Sequence, residues 1–102
     1  MKKNYLYFIC IGAPSDNLYK IGTTNNIARR MRQHELYYKK PIKLIWVSPA
    51  YSKYTTLRVE EQTINRWREL EGFKYIRNDR FIISPEIHQV KIKVKKEWTI
   101  DF

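Results

Sequence analysis

Lys20-Ile21-Gly22-Thr23-Thr24-Asn25-Asn26-Ile27-Ala28-Arg29-Arg30-Met31-Arg32-Gln33-His34 decides the fold, because it joins the end of a strand to a capped helix. Leu18 to Ile21 reads as a short strand, and Gly22 as its end. Thr23 to Asn26 offers several N-cap side chains. Behind them, Ile27, Met31 and His34 follow i, i+4, i+7 spacing and share one helical face, in a helix read over Ile27 to Glu35. Arg30 lies three residues after Ile27 and four before His34, at the border of that face. A border arginine can reach a cleft while its stem stays packed. A histidine close to the apolar face serves either as a satisfied core residue or as a catalyst.

Working outward, Tyr5 to Ile11 is aromatic and β-branched without a breaker, so it reads as a strand. Gly12 to Asn17 has turn chemistry and makes the first two strands a hairpin with an irregular loop. Pro41 marks the next boundary, Ile42 to Val47 is a strand, and Ser48-Pro49 ends it. Thr55 to Leu70 reads as the longest helix, with Leu57, Ile64, Trp67 and Leu70 facing the core and Gly72 as its stop. Tyr75 to Arg80 reads as a polar connection, and Arg80 to Ile83 as a short strand. Ser84-Pro85-Glu86 favours a last helix, although Val90 to Lys95 alternates as a strand would. No repeat or linker divides residues 1–102, so one α+β domain is expected: an α/β sandwich with a small mixed sheet of three or four strands flanked by helices.

Charge is the strongest compositional signal. Twenty Lys and Arg against ten Asp and Glu give +10. Either an anionic partner or simple solubility accounts for that, and nucleic acid is the first candidate. The eight tyrosines favour it over an anionic membrane, because rings stack on bases. No apolar run approaches the roughly 18 residues that span a bilayer, so no membrane association is expected. Met1-Lys2-Lys3-Asn4 leads directly into an aromatic segment, so no signal peptide is expected, and an intracellular, cytoplasmic setting follows. Cys10 is the single cysteine, which excludes an internal disulfide and a cysteine metal cage.

The second helix carries an anomaly. Glu60 falls on its apolar face, and Glu61 falls at the edge beside Arg68. An ionised carboxylate there needs compensation, by an arginine or by a divalent metal ion. Both options are open from the sequence.

Taken together, Tyr5-Leu6-Tyr7, Lys20-Ile21-Gly22, Arg30 eight residues after the glycine, His34 four later and the helix with Leu57, Val59, Glu60 and Ile64 resemble the GIY-YIG nuclease superfamily. The resemblance covers roughly residues 5 to 83. Tyr5 stands where that family has its first glycine, and Lys20 replaces the second motif's tyrosine, as in a phage-type branch. Tyr19 sits one position earlier, on the other sheet face.

What the resemblance implies is a metal-dependent endonuclease that hydrolyses phosphodiesters, DNA before RNA, with Mg²⁺ or Mn²⁺. Tyr7 would accept the proton of the attacking water, with Lys20 as the nearby cation. Arg30 would hold the scissile phosphate and His34 would support the phosphate or the tyrosine. Glu60, or Glu61 after a one-residue slip, would hold the metal. Asn78 is the candidate for the family's late asparagine. Tyr19, Arg29, Tyr37, Lys39 and Lys40 are candidate nucleic-acid contacts, as is the basic stretch Lys91 to Lys96. Specificity would need loops, a homodimer or a specificity partner. A binding module without cleavage and a basic protein-interaction factor are the alternatives.

Overall fold

The computed structural model describes residues 3–83. The last helix expected at Ser84, the alternating Val90 to Lys95 and the basic Lys91 to Lys96 lie outside the described residues. Five strands form one sheet in the order β3-β1-β2-β5-β4. They are β1 (Tyr5–Ile11), β2 (Leu18–Thr24), β3 (Ile42–Val47), β4 (Phe73–Tyr75) and β5 (Arg80–Ile83). Two helices, α1 (Ile27–Tyr38) and α2 (Lys53–Trp67), complete the α+β fold. Every pairing is antiparallel, which corrects the expected mixed sheet of three or four strands.

β1 lies between β3 and β2, and its residues from Leu6 to Ile11 are all buried. A strand covered on both faces reads as a continuous apolar run, which is why this one lacks polar alternation. Tyr7, Ile9 and Ile11 pack with Ile27, Met31 and Tyr38 of α1. Leu6 and Phe8 pack with Val59, Ile64 and Trp67 of α2 and with Phe73, Phe81 and Ile83. The sheet is therefore sandwiched, with one helix on each face.

The helix boundaries follow from their caps. Asn26 Oδ1 accepts from Arg29 N at 3.0 Å and starts α1. Lys39 ends it in the left-handed region at φ 54°, donating its N–H to Glu35 O. The helix thus runs past Glu35, and Tyr37 and Tyr38 occupy its last turn. Ser52 caps α2 by accepting from Thr55 N, so that helix begins at Lys53 and ends at Trp67. Leu57 is 44% exposed and does not hold α2 to the core. Thr56, Val59, Thr63, Ile64 and Trp67 do.

β2 continues through Gly22 to Thr24, with Gly22 directly opposite Tyr7. The segment read as a polar connection after Tyr75 is a hairpin turn, and Phe73 before it is buried against Trp67 at 5.4 Å between ring centroids. Asn78 and Asp79 in that turn both have positive φ, 55° and 59°. Asp79 O accepts from Ile21 N at 3.1 Å, which ties the turn to β2. No helix among the described residues is long and apolar enough to cross a membrane.

Candidate active site

β1 and β2 set the floor of the site. Tyr7 and Lys20 project to the α1 face, two residues from Ile9 and Gly22 respectively. Gly22 is required there because the Tyr7 ring crosses it: a β-carbon at Gly22 would overlap Tyr7 Oη and Cζ and lie 2.9 Å from Cε1. The strand glycine is a seat for the tyrosine.

α1 supplies the partner. Tyr7 Oη and His34 Nε2 are 2.8 Å apart, a buried hydrogen bond between side chains 27 residues apart. Burial pushes the Tyr7 phenol well above its ordinary value, with Arg30 opposing. Burial, then Lys20 and Arg30, push His34 down from 6.5 to about 4. At neutral pH the pair is therefore a protonated phenol and a neutral imidazole. Such a pair bonds in either sense, Tyr7 donating to Nε2 or Nε2–H donating to the phenol oxygen; the first leaves the imidazole proton on Nδ1.

Arg30 is half-buried on the same helix, and its Nε is buried without a hydrogen-bond partner. A buried unpaired guanidinium nitrogen is costly unless a ligand completes it. Arg30 is also the cation that favours the Tyr7 phenolate; the expected Lys20 acts instead on His34 and Glu60. Lys20 Nζ donates to Asn78 O at 2.7 Å, which pins it beneath the β4–β5 turn. Burial lowers its pKa, against the pull of Asp79 and Glu60.

α2 contributes Glu60. Burial, then Asp79, push its carboxyl up from 4.5 to about 7, with Lys20 opposing. Glu61 is exposed on the helix surface, so Glu60 is the carboxylate that meets the other groups. Among the described residues neither Glu60 nor Arg30 sits in an ion pair. Glu60 is the residue here that could hold a hard cation. No group of three His, Cys, Asp or Glu able to hold a metal occurs among the described residues, which excludes a closed structural site there. Glu60 with Asp79 nearby is nonetheless the kind of sparse oxygen site that Mg²⁺ uses when substrate phosphate and water fill its remaining positions.

Tyr7, Lys20, Arg30, His34 and Glu60 are thus brought into one electrostatic unit by four elements. Tyr19 is not part of it: its ring stacks on Phe8 at 5.4 Å and 6°, on the opposite sheet face, packed against the Trp67 cluster. Arg29 is exposed and bonded to Asn25 Oδ1 at 2.9 Å. Tyr37 is 76% exposed and meets Tyr38 edge-on at 4.9 Å, while Tyr38 stacks on His34 at 5.8 Å and carries Arg80 over its ring at 6.0 Å. Lys39 and Lys40 are exposed just beyond. This aromatic path leads from the Tyr7–His34 pair to the surface.

Sequence reasoning missed Asp79, the seating role of Gly22 and Arg80. Asn78-Asp79 did carry a signal, since these residue types tolerate the left-handed region in hairpin turns. Among known proteins, the family model of the T5orf172 domain matches residues 4–100. No curated protein and no solved structure matches the chain.

Proposed function

The chain belongs to the T5orf172 domain family, a phage-associated family of nuclease type, and from that premise we propose that it is a GIY-YIG-like endonuclease that hydrolyses phosphodiester bonds in DNA with Mg²⁺ or Mn²⁺. The observation that carries the reading is the 2.8 Å Tyr7–His34 bond beside an arginine whose buried Nε has no partner.

A phenol held protonated by burial is a poor base alone. Coupled to a neutral imidazole it becomes a relay. As water attacks phosphorus, its proton passes to Tyr7 Oη while the Tyr7 proton passes to His34 Nε2. The new P–O bond forms, the opposite P–O bond breaks, and its electron pair leaves with the departing oxygen, which takes a proton from solvent. His34 ends as imidazolium. The two cations that depress its pKa, Lys20 and Arg30, are offset once an anionic phosphate is bound, so its proton affinity rises when substrate arrives. Arg30 bonds the non-bridging phosphate oxygens as their charge grows. Lys20, fixed by Asn78 O, counters charge between the relay and Glu60. Glu60 would hold the divalent ion, with Asp79 contributing negative field. Such an ion shares phosphate charge and makes nearby water more acidic.

Tyr37, Lys39, Lys40 and Arg29 extend the contact surface along α1, and the +10 charge steers nucleic acid to it. The test is metal-dependent cutting of labelled DNA that disappears in folded Glu60→Gln and Arg30→Ala; undiminished cutting by both removes this site assignment. Binding without cleavage is the competing reading, favoured by Lys20 in the second tyrosine's place. It requires salt-sensitive binding and no turnover with either metal.

A further inference from the structure

A cavity of about 230 Å³ opens beside Arg30, away from the Tyr7–His34 pair. At about 30 Å³ per water this is room for roughly seven or eight waters, enough for a phosphodiester with part of its sugar. Its walls come from four places: Asn4 just before β1, Thr23 at the end of β2 with Asn25 beyond it, Arg30 of α1, and Lys53, Thr56 and Leu57 in the first turns of α2. Two of the lining residues are cations and none is a carboxylate.

The donors converge. Asn25 Oδ1 is occupied by Arg29, which leaves its Nδ2 hydrogens to donate. Arg30 contributes the guanidinium whose buried Nε lacks a partner. Lys53 is exposed at the head of α2 and can swing its ammonium over the opening. Leu57, 44% exposed, supplies an apolar side on which a sugar ring can lie. The Thr56 hydroxyl is spent on Ser52 O, so the two cations and the Asn25 amide are what a carboxylate-free pocket of this kind offers an anion. The shared Arg30 makes it contiguous with the proposed scissile site.

We propose that this cavity is a second phosphate subsite: it takes the nucleic-acid backbone phosphate adjacent to the scissile one, and Lys53 anchors it. The word scissile rests on the nuclease reading above, but the subsite itself needs only backbone binding. It fixes the strand's path from the aromatic end of α1, past Arg30, to the head of α2, and it reads phosphate rather than base, so it adds affinity and register without sequence preference.

The test uses the full chain in EDTA, so that no cleavage intervenes, with a labelled single-stranded or duplex oligonucleotide and anisotropy read across a salt series. For Lys53→Gln the log–log salt slope should fall by about 0.7 on single strands or about 0.9 on duplex, one phosphate's worth, with weaker binding at every salt. Leu57→Trp should also weaken binding, because the ring fills the cavity while all charges remain. Lys43→Gln, an exposed cation on β3 outside the cavity, should leave the slope unchanged. The subsite is overturned if Lys53→Gln matches the wild type, or if Lys43→Gln lowers the slope equally, since the charge would then act diffusely. It is equally overturned if Leu57→Trp binds undiminished. A wild type without salt-dependent binding overturns the nuclease reading as well, so the two failures are told apart.

Discussion

Replacing Gly22 by alanine probes the geometry on which the site depends. The added methyl would overlap the Tyr7 hydroxyl and Cζ and stand 2.9 Å from Cε1, well inside ordinary contact. Tyr7 is 2% exposed, so its ring has no solvent side to retreat to. Overpacking of this kind costs about 1–3 kcal/mol. Moving the ring also breaks the bond to His34 and leaves two buried polar groups short of a partner, about 1–3 kcal/mol more. A destabilisation of about 3 kcal/mol is expected, a large share of the roughly 5–15 kcal/mol typical of a domain. Tyr7→Leu shortens the side chain over Gly22 and is expected to cost about 3–4 kcal/mol as a large-to-small core change. In the double variant the methyl enters vacated space, so the two costs should fall short of their sum by about 2–3 kcal/mol. Urea unfolding followed by circular dichroism on the four proteins measures this coupling. Additivity within about 0.5 kcal/mol would refute the seating of Tyr7 on Gly22.

The remaining expectations concern charge. His34 is held neutral in the folded state, so stability present above about 6.5 is lost as pH falls toward about 4, by about 1–2 kcal/mol after discounting for solvent screening; His34→Gln should flatten that limb in pH-dependent urea melts. Glu60 is displaced the other way: its carboxyl is raised from 4.5 to about 7, so its ionisation costs stability as pH climbs through that window. Discounted for its partial exposure, Glu60→Gln should stabilise the metal-free protein by about 1–2 kcal/mol at pH 8 and not at pH 4, and Mg²⁺ should raise the melting temperature of the wild type only. Arg30→Lys keeps the charge but loses the planar fork, and should lower kcat on the order of 10²-fold without abolishing binding; full activity would show that no geometric recognition occurs there.

Much of the site was legible because its signals are local. Asn25-Asn26 and Gly22 bracket a strand-to-helix joint, and helical spacing puts Arg30 at the border of the buried face and His34 within it, so α1 and its candidate side chains follow from residues within a dozen positions. The anomaly at Glu60 was equally visible as an acid on an apolar face, and its half-buried position explains it. What escaped was non-local. β4 is three residues long and owes its existence to pairing with β5 and to Phe73 packing on Trp67, neither of which leaves a period in the sequence. The sense of the pairing is likewise non-local: nothing in the element order says that β3 returns beside β1 antiparallel rather than parallel. Tyr19 looked available for nucleic acid as an aromatic beside a motif, but the pleat turns it onto Phe8. Asp79 belongs to the site through a left-handed turn 19 positions beyond Glu60, and only the pairing of β2 with β5 brings it there.

The central claim is that the Tyr7 hydroxyl, bonded to His34, moves the proton of the attacking water. The most direct measurement is cleavage of labelled DNA by Tyr7→Phe beside the wild type, with Mg²⁺, with Mn²⁺ and with EDTA, after anisotropy has shown equal binding. Phenylalanine removes one oxygen and keeps the ring over Gly22. Metal-dependent cutting by the wild type is expected, with a loss on the order of 10²-fold or more in the variant, the ordinary scale of general base catalysis. Equal cutting by both proteins would contradict it.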